Sequence, residues 1–508
     1  MKYKTLILLA ILLVIYFATH LMGLTKLPVF ADEAIYVRWS QLIIDDWQQY
    51  LFFPLNDGKT PLLIWLMVPF QFLFSDQLFA ARFVSVLVGG IQILLLYAIL
   101  KRLGSKTETA LFAALLGTIL PFWFFHHRMA LIDALLTLCI SLSVFGISVY
   151  SFGKKHEQKY AFLLVSLGFG LGLLTKLPAI LFVPTLYLIL LLQKGKSKQE
   201  YFSHFIWLSA ALFCGGLLFV ALKIHPAFGQ LFRRGGEFLF PVHEILQGKW
   251  RETLISIPNY INYFTTYLSP AFWMLVILGL FAKKKQHHAH LFFWAGILFC
   301  VPIALMGRVV FPRYLFPATL FFTISAAFAF ESCVYYINAI NKRFVVKVAL
   351  SLCFAVLLAN IASVSTATIV AAVINPNTIP FVSTDSQQYL TEWSSGHGIK
   401  EVTELIQKTA ENKVVVVATE GSFGTLPDGI LMYLHRQDVR NINVQGVGYP
   451  VHEIPESIKT RGVVSDEVWL VVNSSRMTFN LPKEALKIEY CRPFNAECLQ
   501  VWDIRSML

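Results

Sequence analysis

Charge is what this sequence has least of. Only 14% of its 508 residues are Asp, Glu, Lys or Arg, and 56% are apolar, whereas soluble domains carry about 25% charged and about 45–50% apolar residues. The shortage excludes an ordinary water-soluble domain over most of the chain. Acidic residues are scarcest at the front: residues 1–370 balance at +16 and residues 371–508 at −4. The excess positive charge suits loops facing an anionic leaflet. There is no basic stripe with interleaved aromatics, so nucleic acid is not an expected partner. Internal repeats and low-complexity tracts are also missing. Cysteines number seven; Cys139, Cys214, Cys300, Cys333 and Cys353 lie in apolar runs and read as small hydrophobes. Cys491 and Cys498 lie in the polar tail, where a disulfide forms if the tail is outside the cytosol; spacing leaves that open.

What the chain has instead is long apolar runs, at about 5–24, 83–100, 109–125, 130–151, 160–175, 177–193, 204–222, 267–282, 291–307, 314–337 and 345–371. The first follows "MKYK" and precedes "VFA", a signal-like shape. Its apolar core is nearer 20 residues than a signal peptide's ~7–15, which predicts an uncleaved first transmembrane helix. Basic clusters fall at Lys2/Lys4, Lys101/Arg102/Lys106, Lys154/Lys155/Lys159, Lys194/Lys196/Lys198, Lys283/Lys284/Lys285 and Lys342/Arg343/Lys347. Eleven crossings put all six on one side, the cytoplasm. "TPLLIWLMVPFQFLF" (60–74) is too short to span and would break the pattern, so it reads as an interfacial helix in an outer loop 25–82, with Pro61 in its first turn. A second long outer loop covers 223–266.

The tail reads differently. "IKEVTELIQKTAEN" and "LPDGILMYLHRQ" predict helices, and "KVVVVAT", "VRNINVQG" and "VWLVVNS" predict strands. The expected fold is therefore a polytopic α-helical membrane protein: about 11 transmembrane helices over 1–371, juxtamembrane helices in the first outer loop, and a small extracytoplasmic α/β domain over 372–508. The N-terminus is expected in the cytoplasm and the protein in the plasma or inner membrane. "EGSFGT" is a turn that can cradle a phosphate but lacks Gly-x-Gly-x-x-Gly spacing, and "NSS" at Asn473 is a glycosylation triplet.

The outer connections carry isolated charges: Asp32, Glu33, Arg38, Lys59 and Arg82 in the first loop, then Arg128, Asp133, Lys176, Arg308 and Arg313. Charges set singly at membrane depth are costly and point to function. Each also has a plainer reading. Asp32 and Glu33 cap the amphipathic run "EAIYVRWSQLIIDDW", or one acts as general base on an acceptor hydroxyl. Lys59, like the arginines, snorkels to headgroups or neutralises a phosphate. Asp133 caps a helix or faces a polar cavity. His126 and His127 are adjacent and cannot share a helical face; His287, His288 and His290 belong to a cytoplasmic loop.

Six stretches occur in order: "ADEAIYVRWSQ", "GKTPLLIWL", "AARFVSVLVGGIQILLLY", "RMALIDALLTL", "GLGLLTKLPAILFVP" and "FPRYLFPATLF". The ordered set resembles the protein mannosyltransferase-like family, which includes the lipid A aminoarabinose transferases, within the C-type membrane superfamily of polyprenyl-phosphate-sugar-dependent glycosyltransferases. It covers about residues 1–330. The resemblance implies eleven to thirteen membrane helices and transfer of a sugar, with inversion, from a polyprenyl-phosphate carrier to a lipid, glycan or protein acceptor outside the cytoplasm. It implies Asp32, paired with Glu33, as the catalytic acid position and Lys59 beside phosphate. Arg38, Arg82, Arg128, Asp133, Arg308 and Arg313 are the remaining substrate-binding candidates. Two departures stand out: "KTP" replaces a Lys-Pro-Pro pattern, and Ile35 stands where the aminoarabinose transferases have arginine, with Arg38 one turn later. No cofactor is required; the alternative is a divalent ion on the paired carboxylates, as in the oligosaccharyltransferase branch. A transporter or flippase of a polyprenyl-linked or anionic lipid is the competing class, and it lacks the matched repeat halves common in transporters.

Overall fold

The computed structural model describes residues 2–193, 195–281, 285–339 and 344–507. Lys194, Lys283, Lys284, Lys342 and Arg343 of the basic clusters lie outside the described residues. The chain divides into two compact units. One comprises Met1–Met22, Phe52–Leu63 and Phe83–Ile374; the other comprises Gly23–Leu51, Ile64–Arg82 and Asn375–Leu508. The tail begins close to the expected boundary, but most of the first outer loop groups with it.

In the first unit the apolar runs all become helices. Among the described residues, eight helices are long and apolar enough to cross a bilayer, or nine if one bent pair is a single span. Prolines explain why the other runs fall short. The 109–125 run breaks into Thr107–Ile119 and Pro121–His126, because Leu120 before Pro121 adopts ψ 133. The 177–193 run starts as a 3-10 turn at Leu177–Phe182, after an extended Lys176 and with Pro178 in its first turn. The 267–282 run holds the bent pair Ile257–Leu268 and Pro270–Phe281, at 99°. Ser269 sits between them at φ 71, and its hydroxyl accepts from the Phe272 N–H at 3.2 Å. The 60–74 segment is a short apolar helix, Leu62–Phe72.

Small residues let these helices approach closely, as in lipid, where packing rather than water exclusion drives association. A Cβ at Gly168 would lie 2.6 Å from the Cys139 carbonyl oxygen, and one at Gly215 would lie 2.4 Å from that of Ser166. The helices Ile132–Phe152, Gln158–Thr175 and Lys198–Val220 therefore pack backbone to backbone. Outward faces such as those of Tyr3, Leu6, Ile7, Phe344 and Val345 are exposed and apolar, as lipid contact demands.

The second unit holds a five-stranded sheet in the order β2-β1-β3-β5-β4, with β1 Val415–Thr419, β2 Ile442–Gly446, β3 Glu467–Asn473, β4 Leu486–Cys491 and β5 Cys498–Asp503. β1 runs parallel to β2 and β3, and the β4–β5 hairpin adds antiparallel strands beside β3. Val416, Ala418, Val468, Leu470, Val472 and Trp502 form one buried face. Cys491 and Cys498 are cross-strand partners joined by a disulfide. Two expectations about the tail change. In the "EGSFGT" turn, the Gly424 N–H donates to the Asp428 carboxylate at 2.7 Å, so a carboxylate already occupies the place a phosphate would take. Asn473 is fully buried and hydrogen-bonded to Glu420 and Arg492, which removes it as a glycosylation acceptor in the folded protein.

His397 is held down to about 4, first by burial and then by the Arg492 guanidinium, with Ser395 Oγ 2.6 Å from its Nδ1. Its unfolded value is about 6.5, so the unfolded chain binds more protons between those limits. Stability from this group is full above about pH 6.5 and is lost as pH falls toward 4, by up to ~3 kcal/mol. Thermal unfolding of the detergent-solubilised protein across this range should show that slope, and His397→Gln should flatten it.

Candidate functional site

The helix Ala31–Asp45 begins with Phe30 as its cap residue in extended conformation. Asp32 and Glu33 thus lie inside the first turn, where negative charge faces the positive end of the helix dipole. Their environments differ. Glu33 is wholly buried and Asp32 half-buried. Glu33 Oε2 accepts from the Phe30 N–H at 3.0 Å, fastening the first turn from within. Its carboxylate also meets Arg82, with Nε to Oε1 at 2.8 Å and Nη2 to Oε2 at 2.6 Å. Arg82 Nη1 donates to the carbonyls of Leu24 and Leu27, both at 2.8 Å, and Nη2 to that of Pro28 at 3.0 Å. All five N–H donors of the guanidinium are engaged. In this arrangement Arg82 has no N–H left for a phosphate, and both oxygens of Glu33 are engaged by protein donors. The pair fixes the segment 24–33, and Asp32 is the carboxylate of the two with access to solvent.

Arg38 lies a turn and a half further along the same helix. Burial lowers its pKa, opposed by the charges of Asp45 and Asp428. It therefore lies near Asp45 of its own helix and Asp428 of the tail, all within the second unit.

In the first unit, Lys59 follows Gly58, which ends the 3-10 turn Phe53–Asp57 at φ 65. No side chain fits there: a Cβ would lie 2.9 Å from the Gln230 carbonyl oxygen. Lys59 Nζ is 3.7 Å from Asp57, which also holds Arg234 through its carboxylate and, at 2.8 Å, its carbonyl. Arg234 was not among the sequence candidates; nothing local in "RRGGE" separates it from Arg233. Arg308 pairs with Glu244 at 3.3 Å and lies over the Phe240 ring, pinning the 223–266 loop. Arg128 Nη1 donates to the carbonyls of Thr19, His20 and Met22, each at 2.9 Å. It closes the C-terminal end of the first helix, where carbonyls lack partners, and this architectural role replaces the expected substrate contact for that nitrogen.

The remaining charges converge at helix ends. Asp133, in the first turn of Ile132–Phe152 and buried, accepts from Lys176 Nζ at 2.7 Å. Lys176 lies 4.3 Å from the centre of the Tyr314 ring, and the buried Arg313 lies 5.5 Å from the same ring. His126 is close enough to feel both cations and rests 4.8 Å from the Phe316 ring. Lys176 completes the group and was signalled only as the lone cation ending an apolar run before Pro178. In this unit Lys59 and Arg234 share Asp57, with Glu237 also on Arg234, while Lys176 pairs with Asp133 and, with Arg313, lies close to His126.

Residues 58–221 match the family described as dolichyl-phosphate-mannose-protein mannosyltransferase. Among curated relatives, an undecaprenyl phosphate-alpha-4-amino-4-deoxy-L-arabinose arabinosyl transferase of Pseudomonas aeruginosa (strain UCBPP-PA14) is 28% identical over 149 residues, 28% of this chain and 27% of that protein. A second such enzyme, from Pseudomonas fluorescens, is 28% identical over 173 residues, 33% of this chain and 30% of that protein. The chain therefore matches less than a third of the length of these relatives. The crystal structure of ArnT from Cupriavidus metallidurans bound to undecaprenyl phosphate superposes with a TM-score of 0.57 at 15% identity, covering 98% of each chain. The apo oligosaccharyltransferase of Archaeoglobus fulgidus gives 0.51 at 13% identity, covering 86% of this chain and 64% of that one. The fold is shared with these two solved structures. This chain thus resembles the mannosyltransferase family in sequence over residues 58–221 and ArnT in fold.

The buried pair is testable as architecture. Glu33→Gln and Arg82→Met should each destabilise the protein by about 3–5 kcal/mol, because each leaves its partner buried and unpaired. The double variant should lose much less than the sum, read as thermal midpoints in detergent.

Proposed function

We propose that the protein moves a hexose or pentose from a polyprenyl-phosphate carrier to an acceptor hydroxyl on the extracytoplasmic side, with inversion. The observation that carries the reading is the set of cations in the first unit, Lys59 beside Asp57 and Lys176 and Arg313 close to His126; in the second unit Asp32 is half-buried where Glu33 is fully buried. The donor class follows from the relatives: the Pseudomonas enzymes are named for an undecaprenyl phosphate sugar, and ArnT was crystallised with undecaprenyl phosphate.

The chemistry asks little of the protein. Asp32 takes the proton of the acceptor hydroxyl. The acceptor oxygen bonds to the anomeric carbon as the bond to the phosphate oxygen breaks on the opposite face. The leaving phosphate keeps the electron pair and needs no proton, so its growing charge must be met by cations. Lys59, Lys176 and Arg313 are assigned that role; Arg308, Arg38 and Asp133 then shape their surroundings. This reading calls on no metal: Glu33 is engaged by Arg82, and lysine and arginine meet the phosphate charge. The topology that goes with it is eleven spans, a cytoplasmic N-terminus and an extracytoplasmic tail. The bent pair and the proline-broken helices 107–126 and 177–192 supply the three spans beyond the eight long helices.

Membranes of a deletion strain supply donor and acceptor together. Purified protein added to them should form a new glycan product, and Asp32→Asn should lower the rate about 10²–10⁴-fold, the usual worth of a general base. Lys59→Met and Lys176→Met should each cost about 10²-fold or more. Full transfer by Asp32→Asn refutes the base assignment, and movement of the lipid without a covalent product favours the transporter.

A further inference from the structure

The stretch immediately before Asp32 is held by the tail of the chain. The Ala31 N–H donates to the Ser394 carbonyl at 3.0 Å, and the Gly396 N–H donates to the Val29 carbonyl at 2.8 Å. Phe30 and Ser395 form an antiparallel bridge between them. The buried Phe30 ring lies 4.9 Å from that of Tyr389. Gly396 is obligatory at this contact: a Cβ would lie 2.3 Å from the Val29 carbonyl oxygen and 2.6 Å from its Cγ1.

The holding segment is itself held. Arg492 donates to the Ser395 carbonyl through Nε at 3.2 Å and Nη2 at 2.9 Å, and it also meets Asn473 Oδ1. Asn473, at the end of β3, is fixed by Glu420 through its backbone N–H at 2.7 Å and its side-chain amide at 2.6 Å. Arg492 is almost fully buried and directly follows Cys491, whose disulfide to Cys498 closes the hairpin. A continuous series of hydrogen bonds therefore runs from the sheet, through Arg492 and Ser395, to Val29 and Ala31. On the other side Glu33 is fastened to Phe30 and Arg82.

From this we infer that Arg492 and the 394–396 segment are positioning elements that set the carboxylate of Asp32, which gives the tail a part in the transfer step. The inference rests on Asp32 being the base. Misplacing a catalytic group by about 1 Å can cost about 10²-fold. A rigid rest for a helix terminus is therefore worth a buried guanidinium.

The test uses the full-length protein in detergent with deletion-strain membranes as substrate. Gly396→Ala and Arg492→Met should lower the maximal rate at least tenfold, with the membrane concentration at half-saturation within twofold of the parent. Arg492→Lys should recover part of the loss, and Arg440→Met, at an exposed pair with Asp438, should lose nothing. Hydrogen exchange should quicken at the Ala31 and Gly396 amides while β1 stays protected. An unchanged maximal rate in Gly396→Ala and Arg492→Met overturns the inference. So does a fall without faster exchange at those two amides, or one matched by exposure of β1. Full transfer by Asp32→Asn would instead remove the base assignment on which the inference stands.

Discussion

A guanidinium sealed away from water demands a partner for every N–H it carries. Arg82 meets that demand with one carboxylate and three backbone carbonyls, and in doing so it fixes ten residues of the first loop against the start of a long apolar helix. The consequence for chemistry is a division of labour between adjacent acids. Glu33 is neutralised and enclosed, whereas Asp32, one residue earlier and about 100° around the helix, keeps a partly exposed carboxylate. The helix start that carries Asp32 is thereby fastened through its neighbour.

The same rule recurs through the molecule. Arg128 closes the first helix with three carbonyls, Lys176 answers Asp133, and Arg492 answers Ser395 and Asn473. In apolar surroundings an unmatched charge is expensive, so most of the isolated charges became structural. Lys59 and Arg234 share Asp57, Arg234 also meets Glu237, and Lys176 lies over the Tyr314 ring as well as against Asp133.

Local chemistry was legible in the sequence and distant pairing was not. The apolar runs gave the helices, and prolines 121, 178 and 270 mark where three of them break or bend. The tail's strands at 415–419 and 442–446 fall inside the stretches expected for them, and the strand at 467–473 begins one residue before its own. The capping role weighed for the acid pair is real, but Glu33 performs it and Phe30 is the cap residue. What sequence could not show is that Glu33 finds an arginine 49 positions away and Arg128 finds carbonyls more than 100 positions away. The β4–β5 hairpin was missed because its short strands lack a long apolar run, and the disulfide at its end was open until register placed Cys491 opposite Cys498.

The central claim is that the cations of the first unit receive the phosphate of a lipid donor. A structure with undecaprenyl phosphate bound tests it most directly. A phosphate oxygen is expected within about 3 Å of the Lys59 or Lys176 ammonium or the Arg313 guanidinium. A phosphate seated away from all three cations would contradict it.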